Sequence, residues 1–580
     1  MDMINITING TPVSVPAGTT ILEAARTIGI EIPTLCYMKN KNEIGACRIC
    51  VVEVTGARTL VAACVMPVSE GMEIKTRSDR VLKARKKTLE LIMSNHNCEC
   101  LACDRSENCE LQTLAHNFGV VFDKYKGERT EVELDESSPS IVRDDSKCIL
   151  CRRCVAACRS QTGVIGANHR GFDTTIGCAF ETKLADVACV NCGQCIEACP
   201  VGALVEKDQI SDIFAAINDP SKTVVVQTAP AVRAAIAEGF GKPIGTMGKG
   251  KMVAALRRLG FDKVFDTNFT ADLTIMEEGT ELIGRIQNGG VLPMITSCSP
   301  GWIKYCEHYF PDFLPNLSTC KSPQQMFGAC IKTYWAEKNG IDPKDIVSVS
   351  IMPCTAKKFE AGREEMQAAG VPDVDYALTT RELVKMIKRA GLQWDNLPDE
   401  EFDSPLGEGT GAAVIFGATG GVMEAALRTA VDVLTGQDLP SVDYKDVRGM
   451  QGVKEVSYKV GDLTLNVCVA SGLENAKKVL EAVRAGEKNY HFIEIMCCPG
   501  GCINGGGQPI QPNWVRETVD VKALRAGVLY QEDLDLPQRK SHKNSAVMDI
   551  IYPEYFGEPN SHKAHEILHT HYVDRSKVIK

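Results

Sequence analysis

The sequence lacks the features that mark membrane-spanning, exported and nucleic-acid-binding proteins. None of its apolar runs approaches the length that a bilayer-crossing helix needs. The first ten residues, MDMINITING, contain no basic stretch followed by an apolar core, so no secretory signal is visible and a cytoplasmic location is expected. The formal net charge is −10, and this lack of a basic excess argues against a nucleic-acid partner.

Repeats and nucleotide-binding motifs are missing as well. No low-complexity tract is evident, the one local duplication is a cysteine motif within residues 148–199, and no flavin or dinucleotide motif is present. The chain is nevertheless long enough for several domains, because 580 residues exceed one ordinary core. A hydrophobic content of 44% and a charged content of 24% are typical of a folded protein.

Cysteine, by contrast, is abundant. The chain has 26 cysteines, and most lie in tight groups within residues 36–64, 98–109, 148–158 and 189–199. In a reducing compartment, clustered cysteines are more typical of metal ligands than of disulfides. Buried thiols that act as small hydrophobes explain only a few of the positions. The sequence therefore predicts several metal centres.

The N-terminal segment predicts a small domain around the first cysteine group. Residues 3–20 alternate apolar and polar side chains around Asn9-Gly10, which favours a tight hairpin turn, and Thr20 precedes ILEAARTIGI, which has the pattern of a capped helix. Two strands, a helix and a cysteine loop resemble a plant-type ferredoxin, which implies a two-iron cluster. Four cysteines also suit a structural zinc. The candidate ligands are Cys36, Cys47, Cys50 and Cys64.

The second group, HNCECLACDRSENC, combines a histidine with cysteines. It fits a four-iron cluster with one histidine ligand and is similar to a pattern in the large subunit of respiratory complex I. A histidine near cysteines can also be an ordinary surface residue, and the same set can bind zinc. Cys98 lies in this stretch and is assigned no role. The candidate ligands are His96, Cys100, Cys103 and Cys109.

The third group contains the most specific motif. CILCRRCVAAC and CVNCGQCIEACP share the spacing of bacterial ferredoxins with two four-iron clusters, in which the fourth cysteine of each run crosses to the other cluster. Cys178 lies outside this spacing and is expected to be a buried thiol. One cluster is expected to take Cys148, Cys151, Cys154 and Cys199, and the other Cys158, Cys189, Cys192 and Cys195.

Beyond Lys222 the pattern changes to an alternation of strands and helices. Strand-like runs such as TVVVQTAP, IVSVSIMPC and AAVIFGATGG alternate with helical segments such as KMVAALRRLG and TRELVKMIKRAG, which predicts parallel sheets flanked by helices. The cysteines of this region lie where strands run into loops. Active sites of α/β folds are built at such strand ends.

Three segments of this region carry the candidate chemistry: ITSCSPGW at 295–302, MPCTAKKFE at 352–360 and EIMCCPGGCINGGGQP at 494–509. Cys498 and Cys502 can ligate one iron–sulfur cube together with Cys354 from another loop. Lys357 offers a point charge and three donors to a bound anion such as cyanide on iron. The glycines after Cys502 remove side chains where a bulky inorganic ligand must approach the backbone.

These segments resemble the three signature segments of FeFe hydrogenases, and the resemblance covers essentially the whole chain. It is closest to the long clostridial-type enzymes with four accessory clusters, and the catalytic subunits of NADP-reducing hydrogenases look similar too. The resemblance implies a multidomain α+β and α/β fold. Its expected parts are a β-grasp two-iron ferredoxin domain (1–79), a small His/Cys four-iron domain (80–138), a bacterial-type double four-iron ferredoxin domain (139–209) and a two-lobed α/β catalytic domain (210–580) that ends in a small-subunit-like segment (538–580).

The same resemblance implies the cofactors. A four-iron cube would be bridged by Cys502 to a diiron unit with carbon monoxide, cyanide and an azadithiolate, which together form the H-cluster. Three further four-iron clusters and one two-iron cluster would supply electrons. Separate maturation proteins would make the diiron unit.

Site roles also follow from the resemblance. Glu278 and Glu281 in TIMEEGTEL share one face if the segment is helical, although alone they would be interpreted as a solvated helix face. The implied proton path is Cys298, Glu278, Ser318, Glu281 and Arg285. The implied lining of the diiron pocket, which would otherwise be interpreted as ordinary core or cap residues, is Pro230, Ser322, Gln324, Met352, Phe416 and Met496.

The first signature segment departs from the family pattern. The family carries two adjacent cysteines there, the first for proton transfer and the second as a cube ligand, whereas this chain has Cys298-Ser299. Three accounts are open: Ser299 ligates through its oxygen, Cys298 shifts over to ligate, or a nearby thiol substitutes. We rank Ser299 first, and its harder oxygen is expected to lower the potential of the cube. Cys320 and Cys497 either reach the active-site neighbourhood or fill the core.

The C-terminal stretch contains a competing motif. His565-Glu566-Ile567-Leu568-His569 matches the zinc-protease pattern H-E-x-x-H, in which both histidines lie on one helix face. No third ligand is apparent after it, and the stretch belongs to the hydrogenase resemblance. It is therefore interpreted as a structural terminal helix.

Four functional hypotheses follow. The leading one is an enzyme that interconverts protons, electrons and hydrogen, with electrons from ferredoxin. The second makes the chain the catalytic subunit of a larger NAD(P)-linked or electron-bifurcating complex that needs partner subunits. The third is a hydrogen sensor or an iron–sulfur assembly protein; Ser299 favours it mildly, whereas Lys357 and the glycine run argue against it. The fourth, a complex I electron-input subunit, explains residues 1–210 and nothing beyond.

Overall fold

The computed structural model describes residues 2–121, 124–125, 127–130, 132–438, 443–460 and 463–578. Within these ranges, no helix combines the length and the apolar character that a membrane span needs. The same ranges contain five sheets: one at the N-terminus, two small ones in the middle and two in the C-terminal part.

The N-terminal domain is a five-stranded sheet with one helix. Its elements are β1 (Met3–Ile8), β2 (Thr11–Pro16), α1 (Ile21–Arg26), β3 (Val51–Val54), β4 (Val61–Ala62) and β5 (Glu73–Lys75). The strand order is β2-β1-β5-β3-β4, with β1 and β5 parallel. The predicted hairpin is confirmed, because Asn9 (φ 49°) and Gly10 (φ 88°) adopt the left-handed conformations of a two-residue turn. The predicted helix begins as expected but ends at Arg26, before the left-handed Gly29 (φ 72°).

Between residues 79 and 209 the elements are short, apart from one long helix. They are α2 (Asp79–Asn95), α3 (Glu110–Asn117), β6 (Leu134–Asp135), β7 (Ile141–Asp144), α4 (Arg153–Arg159), β8 (Gly166–Asn168), β9 (Thr175–Gly177), α5 (Gln194–Ala198) and β10 (Leu204–Glu206). Strands β10, β7 and β6 form one antiparallel sheet, and β8 and β9 form a hairpin. The cysteine loops lie between these elements, so the predicted ligands supply much of the local core.

The C-terminal part contains eight strands and fifteen helices among the described residues. The strands are β11 (Thr223–Thr228), β12 (Lys263–Asp266), β13 (Met294–Ile295), β14 (Ile346–Met352), β15 (Tyr376–Thr379), β16 (Val453–Val460), β17 (Leu463–Ser471) and β18 (Phe492–Met496). The helices up to the second sheet are α6 (Ile210–Ile217), α7 (Pro230–Arg233), α8 (Lys249–Leu259), α9 (Asn268–Gln287), α10 (Pro300–Tyr309), α11 (Pro323–Cys330), α12 (Ala336–Asn339), α13 (Ala356–Ala361), α14 (Thr380–Arg389), α15 (Gly411–Val414) and α16 (Gly421–Thr435). The remaining helices are α17 (Leu473–Arg484), α18 (Asn513–Thr518), α19 (Val521–Asp535) and α20 (His562–Leu568).

These strands form two sheets, one for each lobe. The first has the order β12-β11-β14-β15 and is parallel throughout, as predicted. The second has the order β13-β18-β17-β16, and here the prediction of a parallel sheet is wrong for β16, which pairs antiparallel with β17. Only two residues separate β16 from β17 in the sequence, and the two strands pair as a hairpin. The other pairs of this sheet are parallel.

The helices predicted from KMVAALRRLG and TRELVKMIKRAG are confirmed as α8 and α14. Helix α14 begins with a capping box, in which the Thr379 hydroxyl accepts the Glu382 N–H and the Glu382 carboxylate accepts the Thr379 N–H. Helix α9 carries Glu278 and Glu281, so the expected helical spacing of these two glutamates is present.

The strand expected from AAVIFGATGG is wrong. Residues 411–414 form α15 and residues 415–417 a 3-10 turn, and every side chain of this run is buried. A short apolar run that is buried on all sides has no periodicity to separate a core strand from a core helix. The backbone at Gly421 packs closely against the turn at Ile415. A Cβ at Gly421 would lie 1.8 Å from the carbonyl oxygen of Ile415, so only glycine fits there.

Candidate functional site

The first cysteine group converges at the N-terminal sheet. The sulfurs of Cys50 and Cys64 are 3.3 Å apart, and the thiol of Cys36 lies within hydrogen-bonding range of those of Cys47 and Cys64. All 26 cysteines of the chain lie in the described ranges and are free of disulfides. Four convergent free thiols form a donor set for a small metal centre.

The second group includes a buried histidine. His96 is 8% exposed, and no hydrogen-bond partner for its Nδ1 is found among the described residues. A Cβ at Gly202 would lie 2.5 Å from the sulfur of Cys103, so glycine leaves the space for this thiol. The thiol of Cys98 contacts the carbonyl oxygens of His96 and Met93, at 3.4 and 3.8 Å. An orphaned imidazole nitrogen beside thiols suits metal ligation.

The doubled motif brings its two runs together across α4 and α5. One cavity has about 410 Å³ of empty volume, and its lining includes Cys148, Cys151 and Cys154 of the first run with Cys199 of the second. The thiol of Cys195 interacts in turn with the other thiols of its predicted set, those of Cys158, Cys189 and Cys192, and also with that of Cys199 of the first set. The four thiols predicted for one cluster thus line a single cavity, and the thiols predicted for the other interact with one another.

The chemistry of these donors fits a metal centre. Burial raises the pKa of the thiols of Cys151, Cys189 and Cys502, each to about 12. The protein alone therefore keeps them protonated, and a cationic iron centre would supply the charge that stabilises the thiolates.

An apolar cavity lies between the two lobes. It has about 850 Å³ of empty volume, and Cys354, Cys498 and Cys502 line it together with Lys357. Cys354 follows β14 of the first sheet, and Cys498 follows β18 of the second. The cavity therefore lies at the carboxyl ends of parallel strands from both lobes.

The glycine run after Cys502 has a different main role from the one predicted. A Cβ at Gly505 would lie 2.1 Å from the carbonyl oxygen of Pro353, and one at Gly506 would lie 2.2 Å from that of Cys192. The run lets the loop pack against the end of β14 and against the four-iron domain. Gly505 also lines the cavity, so the expected approach of a ligand to the backbone applies to that residue.

Lys357 reaches the cavity from the first turn of α13. Its Nζ donates to the Ser322 hydroxyl and to the Glu360 carboxylate, both at 2.8 Å, and to the carbonyl of Cys298 at 3.2 Å. Glu360, which the sequence did not single out, thus fixes the ammonium group. Ser322 supports Lys357 and is absent from the cavity lining, whereas five other predicted pocket residues line the cavity: Pro230, Gln324, Met352, Phe416 and Met496.

Four residues of the predicted proton path, Glu278, Ser318, Glu281 and Arg285, form a row of polar contacts beside α9. The Glu278 carboxyl interacts with the thiol of Cys298 and bonds to the hydroxyl of Ser318. The Ser318 hydroxyl donates to the Glu281 carboxylate at 2.9 Å, and Arg285 donates to the same carboxylate at 2.6 Å. Glu278 and Ser318 are buried, at 3% and 0% exposed, whereas the side chains of Glu281 and Arg285 at the outer end are 12% and 14% exposed.

Burial also sets the protonation state of Glu278. Loss of solvation and the nearby Glu281 charge raise its pKa to about 8. A carboxyl group with a pKa near neutrality can both donate and accept a proton, as a relay requires.

Ser299 and Cys497 are neighbours at the cavity wall. The Ser299 hydroxyl accepts the backbone N–H of Cys497 at 3.2 Å, and both residues line the cavity. The thiol of Cys497 lies within hydrogen-bonding range of the thiols of Cys498 and Cys192. Cys320 lies elsewhere, with its sulfur 3.9 Å from the Glu281 carboxylate beside the proton path.

The H-E-x-x-H motif has a structural arrangement. The rings of His565 and His569 are stacked at 3.9 Å, so both do lie on one face. The ring nitrogens of His569 are already in hydrogen-bonding contact, Nδ1 with Thr319 at 2.7 Å and Nε2 with Glu277 at 3.1 Å. These contacts join α20 to α9 and to the loop before α11, which supports the structural interpretation.

Family comparisons assign each part of the chain. Residues 222–506 match the C-terminal domain of the large chain of iron-only hydrogenases, and residues 519–575 match the small subunit of iron hydrogenases. Residues 1–79 match a 2Fe-2S iron–sulfur cluster binding domain, and residues 147–203 a 4Fe-4S dicluster domain. Residues 85–122 match the iron–sulfur binding region of NADH-ubiquinone oxidoreductase-G.

Full-length relatives agree with these matches. The chain is 51% identical to the NADP-reducing hydrogenase subunit HndD of Solidesulfovibrio fructosivorans, over 100% of both chains. It is 46% identical to iron hydrogenase 1 of Clostridium pasteurianum, over 98% of this chain and 100% of that protein. A solved structure of a variant of the [FeFe]-hydrogenase HydA1 from Chlamydomonas reinhardtii matches with a TM-score of 0.56 and 44% identity, covering 63% of this chain and 99% of that one.

Proposed function

The chain belongs to the FeFe (iron-only) hydrogenase family, and on that premise we propose that it reversibly reduces protons to molecular hydrogen at an H-cluster. One observation carries the proposal. A single cavity joins three free thiols (Cys354, Cys498 and Cys502) to Lys357 and to Cys298, the inner end of a polar row that leads toward the surface. When bound there, the H-cluster supplies the redox-active iron at which protons and electrons combine.

The protein's own residues shape this site. The apolar side chains of Met352, Phe416 and Met496 exclude water from the cavity. The ammonium of Lys357, held by Ser322 and Glu360, presents positive charge to an anionic ligand. Cys354, Cys498 and Cys502 would hold the cube, and Cys502 would also be the residue nearest the diiron unit.

We propose that protons travel through Cys298, Glu278, Ser318 and Glu281, with Arg285 at the outer end. The two outer contacts of this row are hydrogen bonds of 2.6 and 2.9 Å. Glu278, with its raised pKa, holds a proton at neutral pH and can pass it to Cys298 once that thiol has given its own proton to the site. Glu281 takes up a proton from solvent at the outer end, the proton passes to the Ser318 oxygen, and the hydroxyl proton of Ser318 moves on to the Glu278 carboxylate.

We propose that electrons enter from ferredoxin and pass along the accessory clusters, one two-iron and three four-iron. The last of these sits against the catalytic loops. The Thr355 hydroxyl donates to the carbonyl of Asn191 at 2.6 Å, and the Gln194 amide donates to the carbonyl of Asn504 at 3.1 Å. These contacts hold the loop that carries Cys192 against the loops that carry Cys354 and Cys502. Separate maturation proteins would install the diiron unit.

A second candidate makes the chain the catalytic subunit of an NAD(P)-linked complex. It is favoured by the full-length similarity to a subunit named for NADP reduction. The chain has no dinucleotide motif of its own, so partner subunits would bind the nucleotide.

Hydrogen evolution by maturated protein tests both candidates. With reduced ferredoxin as the donor, the proposed activity predicts hydrogen from the isolated chain. If the chain evolves hydrogen from NADPH only after copurification with other subunits, the second candidate is correct. Absence of hydrogen with ferredoxin, with NADPH plus copurified subunits and with a small dye donor would contradict both.

A further inference from the structure

The three signature segments of this sequence supply one cysteine fewer for the cube than the family pattern does. A four-iron cube takes four protein ligands, and Cys354, Cys498 and Cys502 supply three thiols around the cavity. The position expected to supply the fourth is Ser299. The inference about the fourth ligand rests on the proposed function, because that function places the cube in this cavity.

The hydroxyl of Ser299 is engaged elsewhere. It accepts the backbone N–H of Cys497 at 3.2 Å, where the loop leaves β18. Ligation through oxygen would require the hydroxyl to lose its proton, and a hard alkoxide suits iron–sulfur chemistry less well than a soft thiolate does. Ser299 therefore already has a role in the structure, which is to hold the backbone of Cys497.

Cys497 has the features of a ligand. It is 4% exposed, it lines the same cavity as the three other thiols, and its own thiol lies within hydrogen-bonding range of that of Cys498. A Cβ at Gly301 would lie 2.8 Å from the Cys497 sulfur. The absence of a side chain at Gly301, in the first turn of α10, thus leaves the space that this sulfur occupies.

The alternative thiols are less suitable. Cys298 lines the cavity, but its thiol interacts with Glu278 and forms the inner end of the proton path. Moving it to the cube would break that path. The sulfur of Cys320 contacts the Glu281 carboxylate at 3.9 Å and is not part of the cavity lining.

We propose that Cys497 is the fourth thiolate ligand of the cube and that Ser299 acts as a positioning residue for it. The ligand has thereby moved from the start of α10 to the loop after β18, onto a neighbouring point of the same cavity wall. This replaces the expectation that Ser299 ligates through oxygen.

The position of Cys497 has a consequence for electron transfer. Its thiol also lies within hydrogen-bonding range of that of Cys192, which belongs to the ligand set of the nearest accessory cluster. The sulfur ligands of two clusters would therefore be in contact. We expect electrons to enter the cube through this pair of sulfurs.

Protein made without the maturation proteins provides the test, because a cube can assemble without the diiron unit. The full-length chain is compared with Cys497→Ala, Ser299→Ala and the double variant Ser299→Cys with Cys497→Ala. Iron and sulfide are counted, and electron paramagnetic resonance and Mössbauer spectra are recorded. Signals of the accessory clusters report whether each variant is folded.

The proposal predicts that Cys497→Ala loses about four iron atoms per chain, or about one with a three-iron signal, while the accessory signals persist. Ser299→Ala should retain its iron and the cube spectrum. The double variant should recover the cube, because a thiol at position 299 restores four sulfur ligands.

Two results would overturn the proposal. One is a cube that survives Cys497→Ala and is lost in Ser299→Ala. The other is a loss of the accessory-cluster signal in Cys497→Ala with the cube intact, which would assign Cys497 to that cluster. The proposed catalytic function is tested separately, by the carbon monoxide and cyanide bands and the hydrogen production of maturated wild-type protein.

Discussion

The double-cluster region (residues 139–209) and the catalytic lobes (residues 210–580) have cores of different composition. In the first, α4 and α5 are seven and five residues long, and their core is shared between aliphatic side chains and ligand cysteines such as Cys154 and Cys195. In the second, the core of the parallel sheet consists of aliphatic and aromatic side chains and contains no cysteine among the described residues. Metal is part of the first core, whereas the second core forms a scaffold around its metal site.

The two regions also differ in how they move charge. In the proposed function, electrons would pass among clusters that each have several sulfur ligands, so the distance between clusters would affect the rate more than any single side chain. In the proposed path, protons would pass through a single row in which Glu278, Ser318 and Glu281 each occupy one position. One substitution is therefore expected to disrupt proton transfer far more than electron transfer.

Removal of iron should produce the largest difference between the two regions. Without metal, α4 and α5 lose the ligands that complete their core, and the many buried thiols are left without partners. Amide hydrogen exchange of chelated protein should show protection falling at least about tenfold in residues 139–209. Protection in β11, β14 and β17 should be retained.

Equal loss of protection in both regions would contradict this comparison. A native iron-loaded sample exchanged under the same conditions is the control.

Glu278→Gln should lower hydrogen evolution by about 10²–10⁴-fold, because an amide cannot relay a proton. Iron content and the reduction of the accessory clusters should not change, since electron transfer does not use this side chain. Glu337→Gln, the same chemical change at an exposed carboxylate after the π-helical turn, is the matched control and should have full activity. Wild-type rates from Glu278→Gln would remove Glu278 from the path.

The pH dependence of hydrogen evolution should report the ionisation of Glu278. The pKa of Glu278 is raised from 4.5 to about 8, so the carboxyl is protonated at neutral pH and ionises as the pH rises through 8. Hydrogen evolution should fall over that range, since the ionised group has no proton to donate. The residual activity of Glu278→Gln should lack this step. The raised pKa also means that the contribution of Glu278 to stability declines between pH 4.5 and 8.

His96→Cys should have the smallest effect. A thiolate can replace the imidazole, but its negative charge lowers the potential of that cluster. Hydrogen evolution from ferredoxin should fall by about threefold, whereas a small dye that donates to other clusters should support unchanged rates. Equal losses with both donors would indicate damage to the catalytic lobes.

Motif spacing predicted the N-terminal part of the molecule well, because the ligands of each cluster are close in sequence. The crossing of Cys199 to the set of Cys148 follows from the doubled motif, and the same cavity holds both. The hairpin at Asn9-Gly10 likewise depends on two adjacent residues. Local chemistry is sufficient in these cases.

The catalytic lobes were harder to predict, because their important contacts are distant in sequence. The run AAVIFGATGG is buried on every side, so its composition did not separate strand from helix. The position of Cys497 depends on the packing of α10 against the end of β18. This packing places Gly301 next to the sulfur of Cys497 and places the Ser299 hydroxyl next to its backbone N–H. No spacing rule encodes that approach.

Infrared spectroscopy of maturated protein tests the central claim most directly. The account predicts carbon monoxide and cyanide stretching bands that shift when the protein is exposed to hydrogen. A protein that has its full iron content but no such bands after maturation would contradict the assignment of this cavity to an H-cluster.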